Sequence, residues 1–218
     1  MAKNQSTEDY IKGIYKLRKN GRGVSTSELA RHLNISDASV TDMIKRLSAR
    51  KLLRYVPYRG VELTEAGKRL AVKMMRRHRL WEMFLVQFLG YSWDEVHEEA
   101  ERLEHVTSDE LERRLDKLLS YPKVDPHGDP IPSANGEMDT RTYLKLAEFD
   151  KGDHVVIIRV SDNPALLQHA IKLGLTLGTN VFIREKVQFD GSMKVRIGKA
   201  DQFISKQLAE AIFVKTLK

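Results

Sequence analysis

STSELARHLNISDASVTDMIKRLSARKLLRYVPYRGVELT, residues 25–64, is the stretch from which the rest of the chain can be placed. Ser25 with Glu28 three residues on forms a capping box ahead of Leu29, Ala30 and Leu33, and Asn34 suits the exit from a short helix. A second helix starts at Ser36 and carries Val40, Met43, Ile44 and Leu47 as its apolar stripe. Helix, a turn of three or four residues, and helix make a helix-turn-helix. Two β-prone runs, 53–56 and 61–63, then flank Pro57-Tyr58-Arg59-Gly60, which predicts a hairpin wing.

Upstream, Tyr10, Ile11, Ile14, Tyr15 and Leu17 recur at helical spacing between residues 6 and 19, and Gly21 and Gly23 stop that helix. Downstream, Thr64 caps a long helix over 66–90, whose period runs through Leu70, Met74, His78, Trp81, Leu85 and Phe88. Shorter helices are predicted at 93–105 and 108–119. Residues 121–135, YPKVDPHGDPIPSAN, hold four of the chain's six prolines and read as an extended loop. Beyond it, strands at 153–160, 180–187 and 192–197 and a helix at 164–173 suggest a small β-barrel, which by its size needs support from the rest of the chain. The expected fold class is therefore mainly α with a small β domain. It comprises a winged helix-turn-helix over 1–75, a helical unit over 76–140 and the barrel over 141–218.

Composition narrows the chemistry. The 218 residues are 41% hydrophobic, enough for real cores, and contain no cysteine. Disulfide scaffolds, thiolate zinc sites, iron–sulfur ligation and thiol catalysis are thereby excluded. No apolar run reaches the ~18 residues of a membrane span, and MAKNQSTEDY lacks a signal-peptide core, so a cytoplasmic protein with no membrane partner is expected. The net charge of +7 divides unevenly: +9 over 1–75, −7 over 76–140 and +5 over 141–218. The first third suits a polyanion and the middle third suits cations.

On the second helix of the helix-turn-helix, Ser36, Asp37, Ala38, Ser39, Thr41 and Asp42 form the end that reads base edges in such motifs. Small hydroxyl side chains and a methyl group imply a modest sequence preference. Lys45, Arg46, Arg50 and Lys51 suit phosphate contacts, and Arg59 at the wing tip suits the backbone or a minor groove. Taken singly, each is also an ordinary cap or a solvated charge. The combination with the local +9 favours double-stranded DNA.

In HEEAERLEHVTSDE, His97, Glu101, Glu104 and His105 fall on one side of a helix. Such a face repels itself unless a cation neutralises it, and Arg102 alone is too little. His78 and Glu82 form a second i, i+4 pair within an apolar stretch. A core histidine and a solvated acidic face are the bland readings. HExxH is absent, and Glu101 stands where HxxEH needs a histidine, so the zinc-peptidase patterns fail. No nucleophile elbow or phosphate loop is found, which disfavours an enzyme acting on a small-molecule substrate.

With TEDYIKGIY near the start, RHRLWEMFL at 77–85, VHEEAERLEH at 96–105, SDELERRLDKLL at 108–119 and YPKVDPHGDPIP at 121–132, the chain resembles the diphtheria-toxin-repressor family of metal-dependent transcription regulators. The resemblance runs over essentially the whole chain and is closer to the manganese-responsive branch with a third, Src-homology-3-like domain. It implies a homodimer that binds a palindromic operator when metal is present and represses metal-uptake genes. It also implies a principal site of Asp9, His78, Glu101, Glu104 and His105. Glu82, Asp125, His127 and Asp162 would form a second site tying the barrel to the helical unit. Carboxylates at 9 and 101, where iron-responsive members carry sulfur, point to manganese(II), with iron(II) possible and other divalent transition metals binding in vitro. Lys12 departs from the two-domain members, which have a glutamate there, and His97 matches an ancillary ligand of the iron branch only. Asp9 has a competing role as the partner of Ser6 in a capping box, and Asp125 and His127 as turn residues. The competing functions are a winged-helix regulator of another signal, a di-metal hydrolase and a structural nucleoid protein.

Overall fold

The computed structural model describes residues 2–18, 23–56, 58–139 and 141–217, with side chains from residue 7 onward. The helix stop at Gly21, Pro57 in the wing and the side chain of Ser6 lie outside the described residues.

Helix α1 (Ala2–Leu17) begins four residues before the expected start. Ser6 is therefore inside the helix and Asp9 in its middle, so the capping-box role for Asp9 does not hold: a cap must stand where backbone N–H groups lack partners. Helix α2 (Thr26–Leu33) has the Ser25–Glu28 capping box and ends at Asn34 in the left-handed conformation, φ 53°. Helix α3 (Asp37–Ala49) is capped by Ser36, whose hydroxyl accepts from Ser39 N–H. The wing is β1 (Leu53–Val56) against β2 (Gly60–Leu63), antiparallel with Leu53 opposite Leu63, and Val24 adds a short bridge to Val61. Tyr10, Ile11, Ile14, Leu29, Val40, Ile44, Leu47, Leu53 and Val61 share one core.

Helix α4 (Glu65–Leu89) runs unbroken from its Thr64 cap to Gly90, whose φ of 71° ends it. Its first turns close the winged-helix core through Ala71. Its later turns bury Leu80 against Leu115, Leu119 and Ile131, and Leu85 against Val96 and Ala100. The expected division at 75/76 thus falls inside one rigid helix. Helices α5 (Val96–Glu104) and α6 (Asp109–Leu118) pack on it, α6 through ion pairs from Arg76 and Arg77 to Glu112. This helical unit leaves Phe88, Leu89, Val106, Leu118 and Tyr121 more than half exposed.

The last part is a six-stranded antiparallel sheet: β3 (Leu144–Lys145), β4 (His154–Val160), β5 (Asn180–Lys186), β6 (Met193–Ile197), β7 (Ala200–Ile204) and β8 (Ile212–Thr216). The spatial order is β3-β8-β4-β5-β6-β7, an open ladder rather than a sheet closed on itself. Helix α7 (Pro164–Lys172) follows β4, and α8 (Lys206–Ala211) joins β7 to β8 and buries Leu208 and Ala209 in the sheet's core. Strands β3, β7 and β8 and helix α8 were not expected, being short and weakly patterned.

The sheet is seated on the proline-rich loop. Val160 N–H donates to His127 carbonyl at 2.9 Å, Trp93 packs on the sheet's core, and Gln168 bonds Asp94. Gly128, at φ 90°, lets the backbones approach: a Cβ there would stand 2.1 Å from Ile158 carbonyl oxygen. Gly128→Ala should therefore destabilise the chain by about 1–3 kcal/mol through backbone strain, more if the sheet lifts from the loop. Denaturant unfolding measures this, and an unchanged midpoint would contradict the seating described.

Candidate metal centre

Two helices, α1 and α4, and two loop segments, the proline-rich loop and the one after β4, converge around the acidic face of α5. From α1, Asp9 Oδ1 lies 3.1 Å from His105 Nε2, and Glu8 Oε2 takes His105 Nδ1–H at 2.6 Å. One helical turn on, Lys12 donates from Nζ to Glu101 at 2.6 Å and to Glu104 at 2.7 Å. From α4, His78 Nδ1 lies 2.7 Å from the other oxygen of Glu104, and His78 Nε2 lies 3.0 Å from Glu82 and 3.1 Å from His97 Nδ1.

The five residues expected at the principal site are all brought together, as two groups sharing Glu101: Asp9, Glu101 and His105, and His78, Glu101 and Glu104. Within each group, ligand atoms lie within 4.8 Å of one another. The base that neutralises this face is Lys12. Arg102 instead pairs with Glu99 on the exposed side. Burial works against charge on Lys12, but Glu104 and Glu101 outweigh it and raise its pKa. Burial likewise opposes a charged His105, yet its bonds to Asp9 and Glu8 push it up to about 10.

The four residues expected at the second site fall into two groups sharing Glu82: Glu82, Asp125 and His127, and His78, Glu82, His97 and Asp162. Asp162 comes from the segment after β4 and accepts from His97 Nδ1 at 3.0 Å. That bond, with a second to Glu82, pushes His97 up to about 10 against a smaller opposing effect of burial. Burial would raise Glu82, but the charge and hydrogen bond of His78, the hydrogen bond of His97 and, least, the nearby His127 hold it well below the usual carboxylate range. Burial, the Glu82 charge and Asp129 push Asp125 up to about 7.

Asp125 does serve its turn, accepting backbone N–H from His127 at 2.8 Å and Asp129 at 2.9 Å. His127 does something else. Its Nε2 donates to Trp93 carbonyl at 2.9 Å, while Nδ1 is buried with no hydrogen-bond partner among the described residues, 3.9 Å from Glu82 and 4.0 Å from Asp125. A carbonyl on one ring nitrogen and carboxylates around the other is the support a metal-binding imidazole receives. A cavity of about 130 Å³ opens between the two sites, lined by Lys12, His78, Glu82, Asp125 and Asp162 among others.

Sequence reasoning left out His97 and Glu8. His97 had a signal, its i, i+4 spacing to Glu101, whereas nothing local distinguished Glu8 from a surface acid.

At the other end, Ser36, Asp37, Ala38, Ser39, Thr41, Asp42, Lys45, Arg46 and Arg59 are all exposed. Ser36 and Ser39 hydroxyls bond each other, Thr41 donates to Asp37 carbonyl, and Arg46 pairs with Asp42. Arg50 reaches back to Thr7 of α1 at 3.2 Å, so it joins two helices of the winged domain.

Comparison with known proteins agrees along the chain. Residues 4–61 match the iron dependent repressor N-terminal DNA binding domain, 64–133 the iron dependent repressor metal binding and dimerisation domain, and 144–216 the FeoA domain. The iron-dependent repressor IdeR of Mycobacterium tuberculosis is 38% identical over 160 residues, 70% of each chain. The diphtheria toxin repressor of Corynebacterium jeikeium is 37% identical over 161 residues, 72% of this chain and 67% of that one. A solved manganese-dependent transcriptional repressor in complex with manganese superposes with a TM-score of 0.88 at 38% identity, over 97% of this chain and 100% of the other. The repressor ScaR with bound Zn2+ gives 0.79 at 35%, over 97% and 99%. The chain belongs to the iron-dependent repressor family, with a FeoA domain as its third part.

Proposed function

We propose that this chain is a metal-dependent transcriptional repressor that binds a palindromic operator as a homodimer, answers to manganese(II), with iron(II) as an alternative, and represses metal-uptake genes. It acts on DNA and takes no small-molecule substrate. Relatives in the family are DNA-binding repressors rather than enzymes. The observation that carries the reading is the double engagement of α1. Its Tyr10, Ile11 and Ile14 lie in the winged-helix core while Asp9, on the same helix, meets Glu101 and His105 within 4.8 Å. Whatever changes the Asp9 contact acts on the body that carries α3.

The residues fit a divalent ion. Buried and half-buried carboxylates converge on imidazoles, an internal ammonium occupies part of the principal group, and in the second His127 Nδ1 has no hydrogen-bond partner among the described residues. Asp9, His78, Glu101, Glu104 and His105 would hold the first ion, and Glu82, Asp125, His127 and Asp162 the second, with His97 beside it. A bound ion supplies the positive charge that lets Asp9 and the α5 carboxylates share one space. Oxygen and imidazole ligands without sulfur favour manganese(II) or iron(II) by hardness.

The exposed apolar surface of Phe88, Leu89, Val106, Leu118 and Tyr121 suits the homodimer contact. Two recognition helices must then meet half-sites about 34–36 Å apart, and mobile heads pay an ordering cost that a fixed α1 removes. The functional units are taken as 1–75 for DNA, 76–140 for dimerisation and metal, and 141–218 for the FeoA-like sheet. Ser36, Ser39 and Thr41 with Ala38 face bases, and Lys45, Arg46 and Arg59 face phosphates.

Asp9→Asn should weaken manganese(II) activation of operator binding by at least about tenfold, since even a supporting partner of a ligand costs ~10–100-fold. Anisotropy with the promoter of its own gene measures it, and activation at wild-type metal concentrations would reject Asp9 as a ligand. Lys45→Ala with Arg46→Ala should lower the slope of log affinity against log salt by about 2, at ~0.9 per lost phosphate contact. An unchanged slope would remove both from the interface.

His97 and His105 stand near 10 in the folded chain against 6.5 for a free imidazole. Their contribution to metal-free stability is therefore complete below about pH 6.5 and is lost as the pH rises toward 10. Thermal melting of the chelated protein across that window should show a falling midpoint. A flat or rising profile would contradict the charge pairs.

A further inference from the structure

We propose that Lys12 is the resident cation of the principal site: its ammonium holds Glu101 and Glu104 when no ion is bound, and a divalent ion competes with it for the same carboxylates. The inference rests on the metal reading above.

Lys12 is 5% exposed, a rare place for a lysine unless it is paired. Its contacts of 2.6 and 2.7 Å go to one oxygen of Glu101 and one of Glu104. Glu104 is fully buried, and its second oxygen is held by His78 at 2.7 Å. The oxygen that Lys12 takes is therefore the one a new cation must share or win. On α1, Asp9 and Lys12 lie one turn apart on the same side, and both reach toward the α5 region. Asp9 with Glu8 meets His105, and Lys12 meets the glutamates. Complementary charges thus dock α1 on α5 before any ion arrives.

Two consequences follow. The affinity for metal is the carboxylate set's affinity reduced by the strength of the Lys12 pairs, which places the response at a higher metal concentration than the ligands alone would set. When an ion is held, Lys12 yields the carboxylates and Asp9, already beside His105, shares the ion, so a long flexible tether gives way to a short one that fixes α1. A lysine can yield in this way: its four-carbon stem is flexible, and Lys12 lines a cavity that Asp125 and Asp162 also line.

The test is calorimetric titration of the full chain with manganese(II) alone, without DNA, for wild type, Lys12→Met and Lys12→Arg, with melting of each metal-free protein. Lys12→Met should bind one ion at least about tenfold tighter while its metal-free midpoint falls, because removing one partner leaves buried carboxylates unpaired. Lys12→Arg keeps the charge and should bind no tighter than wild type. A merely structural lysine would give Lys12→Met equal or weaker binding, and that result overturns the proposal. Should Lys12→Met fail to fold, amide exchange on wild type decides. The α1 amides must be protected without metal and stay so with it; fast exchange in the metal-free protein overturns the inference. Failure of wild type to bind manganese(II) would overturn the metal reading itself, whereas equal affinities remove only the role of Lys12.

Discussion

Glu104 has no exposed surface, and Glu82 next to it is 1% exposed. A carboxylate taken out of water costs several kcal/mol unless charge or hydrogen bonds replace the lost hydration. Each structural decision around α5 answers that demand. Lys12 from α1 and His78 from α4 close on Glu104 from two sides, while His78, His97 and His127 surround Glu82. The unit is small in apolar core: Leu80, Leu115, Leu119 and Ile131 in one cluster, Leu85, Val96 and Ala100 in another. Charge complementarity carries a share of the packing that side-chain burial carries elsewhere in the chain.

That arrangement makes the site sensitive to cations by construction. A cluster whose stability rests on neutralising acids responds to any group that neutralises them better, and a divalent ion does so with more charge than an ammonium. The response has a short path to the DNA-facing helix, because α1 contributes one face to the winged-helix core and another to α5. Helix α4 is the second continuous body, with Ala71 in the winged-helix core and His78 and Glu82 in the acidic cluster. Neither connection depends on a flexible linker.

The third part is joined through the same chemistry. Asp162 delivers a carboxylate to His97, and the loop that carries Asp125 and His127 is also the platform for β4. The loop that seats the sheet also carries part of the acidic cluster, so the sheet draws support from a cluster that it helps to complete. Its open ladder, with α8 filling the core, suits a domain stabilised from outside.

Much of this was legible from the residues in order. The helix-turn-helix, the wing, the long α4 with Thr64 and Gly90 at its ends, and the acidic and imidazole-bearing face of α5 all follow from capping and from a period of ~3.6, which act over four or five residues. The absence of cysteine set the donor atoms. The sequence could not tell that Lys12 finds Glu101, 89 positions away, or that His97 belongs with Asp162. Nor could it show that His127 is left with a nitrogen unpartnered among the described residues, or that the strands after residue 197 complete the sheet. Those outcomes depend on how whole elements pack, since a buried charge takes its partner from whatever packing brings within ~3 Å, whichever residues lie nearby in the chain.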